Sequence, residues 1–144
     1  MSRQAHAAAV LAQLAASPGA TALVVHDGAV PPVPAAGSSP PYVVARFTFR
    51  KLTATEAPDK STLSYASTAY QVDVRVHSVG SDARNTRGVA YRAERQLLNW
   101  TPTVAGYTCT ALRQIEAETL EPNEAMGVSV EQQVDVYRFV SVPA

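Results

Sequence analysis

Three histidines (His6, His26 and His77), one cysteine (Cys109) and a run of glutamates (Glu116, Glu118, Glu121 and Glu124) are the residues that first suggest chemistry. No two histidines stand in an HxxxH or HxH pattern, so a metal site would need ligands gathered from distant segments. Cys109 beside a histidine would make a nucleophile pair, but an apolar mid-strand setting favours a buried, inert thiol. Two of the glutamates could serve as a catalytic pair; a solvated sheet edge is the simpler reading. The chain has no GxSxG elbow, no GxGxxG and no phosphate loop. Lys60-Ser61 lacks the flanking glycines that would let backbone amides cradle a phosphate. Asn99-Trp100-Thr101 matches a glycosylation triplet of the kind that arises by chance, and Pro102 follows it. These residues predict no enzyme, no cofactor and no metal.

Arginine is the more informative residue. The chain holds 10 Arg against 2 Lys, and Arg84, Arg87, Tyr91 and Arg95 recur at three- and four-residue steps. At about 100° per residue such steps return to one helical face. A solvated face is the plain reading, and a docking surface for carboxylates the sharper one, because the guanidinium is a rigid multidentate donor. Net charge is zero over 144 residues, yet residues 1–113 carry 11 basic and 6 acidic side chains, and residues 114–144 carry 1 basic and 6 acidic. A chain divided in this way complements itself, either between its own segments or between copies, where a basic face meeting an acidic one closes a ring. The overall neutrality argues against nucleic-acid binding through bulk positive charge.

The elements that would position these residues follow from pattern. At 47% hydrophobic and 17% charged residues the composition is globular, and the length suits one domain spanning 1–144. A single cysteine rules out an internal disulfide framework, and no apolar run reaches the length of a membrane span. Ala7, Val10, Leu11 and Leu14 predict a folded first helix over 1–17, in preference to a cleaved signal, ended by Pro18-Gly19. A short strand is expected over 22–26, then an extended connector over 27–41 that carries five prolines. Residues 42–53 alternate, with Val43, Ala45, Phe47 and Phe49 inward and Arg46, Thr48 and Arg50 outward. An aperiodic loop over 54–67 leads to a second alternating strand of Tyr70, Val72, Val74 and Val76, making a long hairpin with a projecting tip.

Ser81 is the expected N-cap of a second helix over 82–100, whose inner face is Val89, Ala90, Ala93, Leu97 and Trp100 and which Pro102 stops. A strand over 107–120 and a turn from Pro122-Asn123 to Gly127 come next. Val128, Val130, Val134, Val136, Val140 and Val142 share one parity of a last, long strand, with a bend or bulge expected near Gln132. The fold class is α+β: a single-layer, mostly antiparallel sheet of four to five strands, two helices packed on one face and a long β-hairpin with a projecting loop.

This layout resembles the tail-completion or tail-terminator proteins of long-tailed bacteriophages. The features that carry the likeness are the Ala-rich first helix, the Pro-rich link ending in Pro-Tyr-Val-Val, and the strand YQVDVRVHS. The helix ARNTRGVAYRAERQLLN and the closing VDVYRFVSV complete the pattern. The passage 70–100 is its most specific part, and the similarity is one of pattern and order over nearly the whole chain.

The resemblance implies a virion protein without a catalytic site. It would assemble in the host cytoplasm into a homohexameric ring on the head-proximal end of the tail tube, stop tube growth, and join the tail to the head connector. Its partners would be further copies of itself, the tail-tube protein and a head-completion or connector protein. No membrane and no sequence-specific nucleic acid would be involved, although DNA would pass through the ring lumen. Physics alone nominates Arg84, Arg87 and Arg95 for a partner or neighbouring subunit, and Glu56, Asp59 and Lys60 on the hairpin loop for ring or tube contact. Another neck protein is the alternative in the same class. Outside it stand a small enzyme, which would need a pocket joining Cys109 or a histidine to the glutamates, and a ligand-binding module, which would need an apolar hollow between helices and sheet.

Overall fold

The computed structural model describes residues 2–19, 21–30, 40–52, 69–117, 121–123 and 130–144. Its elements run α1 (Ser2–Ala15), β1 (Val25–Asp27), β2 (Tyr42–Lys51), β3 (Tyr70–Gly80), α2 (Ala83–Leu97), β4 (Tyr107–Cys109), β5 (Arg113–Ala117), β6 (Glu121–Asn123) and β7 (Val130–Pro143). One curled sheet has the order β1-β2-β3-β7-β4, with β5 and β6 also paired to β7. The sheet is thus five strands wide, because β4, β5 and β6 share one edge of β7 in succession. Only β1 and β2 are parallel; every other described pair is antiparallel. The architecture is the expected α+β one.

The strands form where apolar residues alternate. β2 and β3 pair in unbroken register from Tyr42 opposite Val79 to Lys51 opposite Tyr70, which makes the long hairpin. Its loop, with Glu56, Asp59 and Lys60, lies outside the described residues, as do residues 31–39 of the Pro-rich connector. One core unites Val10 and Leu14 of α1, Val89, Ala93 and Leu97 of α2, and Val43, Ala45, Val72, Val74, Val76, Tyr137 and Phe139 of the sheet. Both helices therefore cover the same face. Two reciprocal hydrogen bonds clip them together: Gln13 Nε2 donates to the Gln96 carbonyl at 3.0 Å, and Gln96 Nε2 to that of Gln13 at 2.7 Å.

The structure corrects several boundaries. The first strand is Val25–Asp27 rather than 22–26, since only these residues reach β2. The N-cap of α2 is Asp82, not Ser81: its carboxylate accepts from the Asn85 N–H at 2.7 Å, ahead of the shorter serine hydroxyl. The helix ends at Leu97, before Pro102 can act, because Asn99 takes a left-handed conformation with φ 64°. The expected strand over 107–120 is divided at residues 110–112, where Leu112 turns into the core and is fully buried. Pro122 and Asn123 lie in β6 instead of opening a turn.

The bulge expected near Gln132 is on the partner strand. Pairing slips between Gln114 and Glu116, which leaves Ile115 unopposed and 44% exposed, while β3 and β7 stay in register throughout. The valine parity of β7 is also not the one that meets the helices. Val134 and Val136 are buried on the opposite face, and the helix-facing side chains are Tyr137 and Phe139.

Candidate interaction surface

α2 presents its polar face as its periodicity requires. Arg84, Arg87, Tyr91 and Arg95 are exposed, while Thr86, Val89, Ala90, Ala93 and Leu97 are buried beneath them. Tyr91, at 56% exposure the most open of the large apolar side chains described, carries the Arg95 guanidinium 5.8 Å from its ring centroid. Arg92 points elsewhere. Its Nε donates to Ser17 Oγ at 3.2 Å and its Nη2 to the Thr21 carbonyl at 2.9 Å, which ties the segment after α1 to α2. The stripe alone had hidden this structural role.

Beside Tyr91, between α2 and the β5/β7 edge, lies a depression of about 290 Å³ lined by Arg87, Glu94, Gln114, Gln133, Asp135 and Tyr137 among others. Asp135 is only 4% exposed. Gln114 Nε2 donates to its Oδ1 at 3.0 Å and Gln133 Nε2 to its Oδ2 at 3.1 Å. Tyr137 is fully buried, and its hydroxyl has no hydrogen-bond partner among the described residues. An orphaned buried polar group costs about 1–3 kcal/mol. Burial first, then the negative charges of Asp135 and Glu94, push the Tyr137 pKa well above the usual phenol value. Asp135 and Tyr137 escaped notice in the sequence because the competing valine parity looked like the core; the signal that could have found them is a carboxylate sharing parity with two aromatics.

The face turned away from the helices is rich in arginine. Arg46 and Arg75 are directly opposed across β2 and β3, an unfavourable like-charge pair, and both are exposed. Arg138 is held by Asp73 through two parallel hydrogen bonds, Nε to Oδ1 at 2.7 Å and Nη2 to Oδ2 at 3.1 Å. This pair joins the single base of residues 114–144 to an acid of the larger part, the reverse of the expected attraction between the two segments. Among the described residues β2 also has an edge that is unpaired beyond β1. Val43 N–H donates to the Val24 carbonyl, and Gly28 N–H donates to that of Ala45, so odd-numbered residues direct their backbone groups away from β3. By the same alternation Phe47 and Phe49 do so too, beyond the end of β1, without a backbone partner among the described residues.

The residues suited to nucleophilic chemistry do meet, but deep inside. His6 Nε2 lies 2.6 Å from Ser141 Oγ, and the Cys109 thiol donates to that oxygen at 3.6 Å. Phe49, Tyr70, Tyr107 and Phe139 surround the imidazole, with Tyr107 edge-on at 4.8 Å. His6 and Ser141 have no exposed surface, so no substrate reaches them, and burial raises the Cys109 pKa, which opposes thiolate formation. Of the four glutamates, Glu116 is exposed on β5, Glu121 lies in β6, and Glu118 and Glu124 fall outside the described residues. Among the described residues no three His, Cys, Asp or Glu gather as for a metal, and no helix is long and apolar enough to cross a membrane. Between helices and sheet the described side chains of Val10, Leu14, Val89, Ala93 and Leu97 pack in one apolar cluster with those of the strands.

No family model matches this chain, and no curated protein does. Its fold has nevertheless been seen in a virion component. The chain is similar to one from the virion of a native gene transfer agent particle, with a TM-score of 0.66 and 20% identity over 99% of this chain and 98% of that one. A second solved structure, 16% identical, gives a TM-score of 0.57 over 100% of this chain and 97% of its own. Both likenesses span the complete architecture, helices and sheet together.

Proposed function

We propose that this chain is a structural protein of a phage-like virion, and within it the tail terminator. Copies form a ring, a hexamer in this reading, at the head-proximal end of the tail tube. The ring ends tube growth and presents the surface that joins the tail to the head connector. The observation that carries the reading is the end-to-end similarity of fold to a component of a gene transfer agent virion, in a chain whose element order resembles tail terminators.

The surfaces support assembly in preference to catalysis. The arginine stripe of α2 is displayed to solvent, β2 offers backbone donors and acceptors that a neighbouring chain could pair with, and His6 and Ser141 are buried in the core, with Cys109 half-buried beside them. Arg84, Arg87 and Arg95 are assigned to contact between copies or with the connector. Glu56, Asp59 and Lys60 are assigned to the ring or tube contact.

Electron microscopy of the purified protein, alone and mixed with tail tubes, tests this. Closed rings that cap tube ends are expected. A chain that stays monomeric at high concentration and leaves tube length unchanged would refute the proposal, and binding to the head connector but not to tubes would transfer it to another neck position.

A further inference from the structure

We infer that the edge of β2 beyond β1 receives the β5–β6 edge of a second copy of this chain, so that the sheet of one subunit continues into the next. The inference rests on the ring reading above and names the contact that builds the ring.

The receiving edge is left open by the path of the chain. β1 pairs with Val43, Val44 and Ala45 alone. At Gly28, where φ is 78°, the chain turns away from β2, and Val30 packs on Tyr42, Val44 and Val79. β2 runs on to Lys51, and among the described residues no strand lies along its outer side from Arg46 onward. Phe47 and Phe49 direct their N–H and C=O groups to that side. Between this stretch and α1 lies a trough of about 610 Å³, lined by Arg3, Gln4, Arg46, Phe47 and Phe49, with Asp27 its single acid. The Arg3 guanidinium stands 5.9 Å from the ring centroid of Phe49 and 5.8 Å from that of Tyr70. Unpaired backbone, half-buried rings and the exposed cations Arg3, Arg46 and Lys51 suit an extended, acidic segment that adds a strand to the sheet.

The opposite edge of the same sheet has that chemistry. β5, five residues long, pairs only with β7 among the described residues. Thr110 N–H donates to the Val140 carbonyl, so even-numbered residues of β7 turn their backbone groups toward this edge. Gln114 and Ala117, opposite Tyr137 and Asp135, therefore direct theirs outward. Ile115 is exposed at the bulge, an apolar side chain for the rings of the trough, and Glu116 beside it is exposed too. From Gln114 to Asn123 the sequence holds Glu116, Glu118 and Glu121 and no Lys or Arg, whereas Arg46–Lys51 holds bases and no acid. Arg113 stands at the other end of β5. Among the described residues Arg46, Lys51 and Glu116 have no ion pair.

Strand direction agrees. β2 and β7 run the same way and β5 the opposite way. A rotation about an axis along the strands therefore brings β5 of one copy antiparallel to β2 of the next, and the same contact repeated head to tail closes a ring.

Two measurements on the full chain test this. Hydrogen exchange is compared between dilute monomer and assembled protein. Assembly should slow the amides of Phe47 and Phe49, and those of Gln114 and Ala117, about tenfold or more, while Thr48, bonded to β3, is protected in both. Rings that form without protection at these edges overturn the pairing and leave the ring reading standing. Protection at β2 alone overturns the β5–β6 edge as its occupant, and Phe47 and Phe49 amides already protected in the monomer give the edge to the chain's own residues and overturn it as well.

Sedimentation then follows charge reversal. Arg46→Glu with Lys51→Glu, and separately Glu116→Lys with Glu121→Lys, should each weaken assembly about tenfold or more, with melting temperatures near that of the wild type. All four substitutions in one chain exchange the charges of the two edges and should restore assembly. Folded variants that assemble as the wild type does, or a fourfold variant that stays dissociated, overturn the charge pairing of the two edges. A wild-type chain that never assembles overturns the second copy and the ring reading together.

Discussion

Gly80 shows how one atom can constrain the hairpin-to-helix junction. A Cβ built there would stand 2.6 Å from the Thr86 nitrogen and 2.7 Å from its Oγ1, and that hydroxyl already donates to the Asp82 carbonyl at 2.7 Å. Gly80→Ala should destabilise the protein by about 1–3 kcal/mol, as overpacking does. Urea unfolding measures this, and an unchanged midpoint would disprove the close approach. Tyr137 makes a pH prediction. Its folded pKa lies above the value of 10.0 it would have when exposed, so the unfolded chain ionises first. The associated stability is present below pH 10 and is lost as pH rises beyond it. Tyr137→Phe should flatten that alkaline decline in thermal melts, and an equally steep decline in the variant would assign it to other groups. Cys109, raised from 9.0 by burial, should react with a disulfide reagent at pH 8 more slowly in the native protein than in urea.

At the scale of elements, α2 is the piece on which the rest depends. It packs against β3, β7 and α1, and its outer face is the stripe. Its start is set by Asp82, whose carboxylate accepts the Asn85 N–H and whose carbonyl accepts from Thr86. Asp82→Ala should cost about 1 kcal/mol of stability, and Asp82→Ser much less, by chemical denaturation; equal losses would mean that the charge and not the cap matters. The inner and outer faces of this helix were legible because 3.6-residue periodicity is a local property. The same holds for β2 and β3, whose alternation is clean. It failed at β7, where both parities are apolar and alternation cannot say which side meets the helices. It failed again over 107–117, where the strand is broken by a residue, Leu112, that serves the core.

For the whole molecule, assembly through the arginine stripe carries an electrostatic signature. If Arg84, Arg87 and Arg95 meet carboxylates of a neighbour at a solvent-accessible rim, the ring should loosen as salt rises, because the Debye length shortens from about 10 Å at 0.1 M to about 3 Å at 1 M. Reversing all three to glutamate should shift the sedimentation profile toward monomer while the melting temperature stays near that of the wild type. Rings unaffected by the triple reversal would place the contact on another face. The acidic last segment does lie beside basic elements, since β7 packs against β3 and α2, and one described ion pair, Asp73 with Arg138, joins the two segments with the charges exchanged.

The sequence by itself determined the α+β class, the two helices on one face, the β2–β3 hairpin and the exposure of Arg84, Arg87 and Arg95. Each of these follows from periodicity or from a short-range signal such as a cap or a turn. Only the tertiary structure decided that β4, β5 and β6 share one edge of β7, that Arg46 faces Arg75, that His6, Ser141 and Cys109 come together, and that Asp135 and Tyr137 line one depression beneath α2. These depend on register between strands far apart in the chain and on the curl of the sheet. A shift of one residue would turn every side chain of a strand to its opposite face, and no local pattern records which register is chosen.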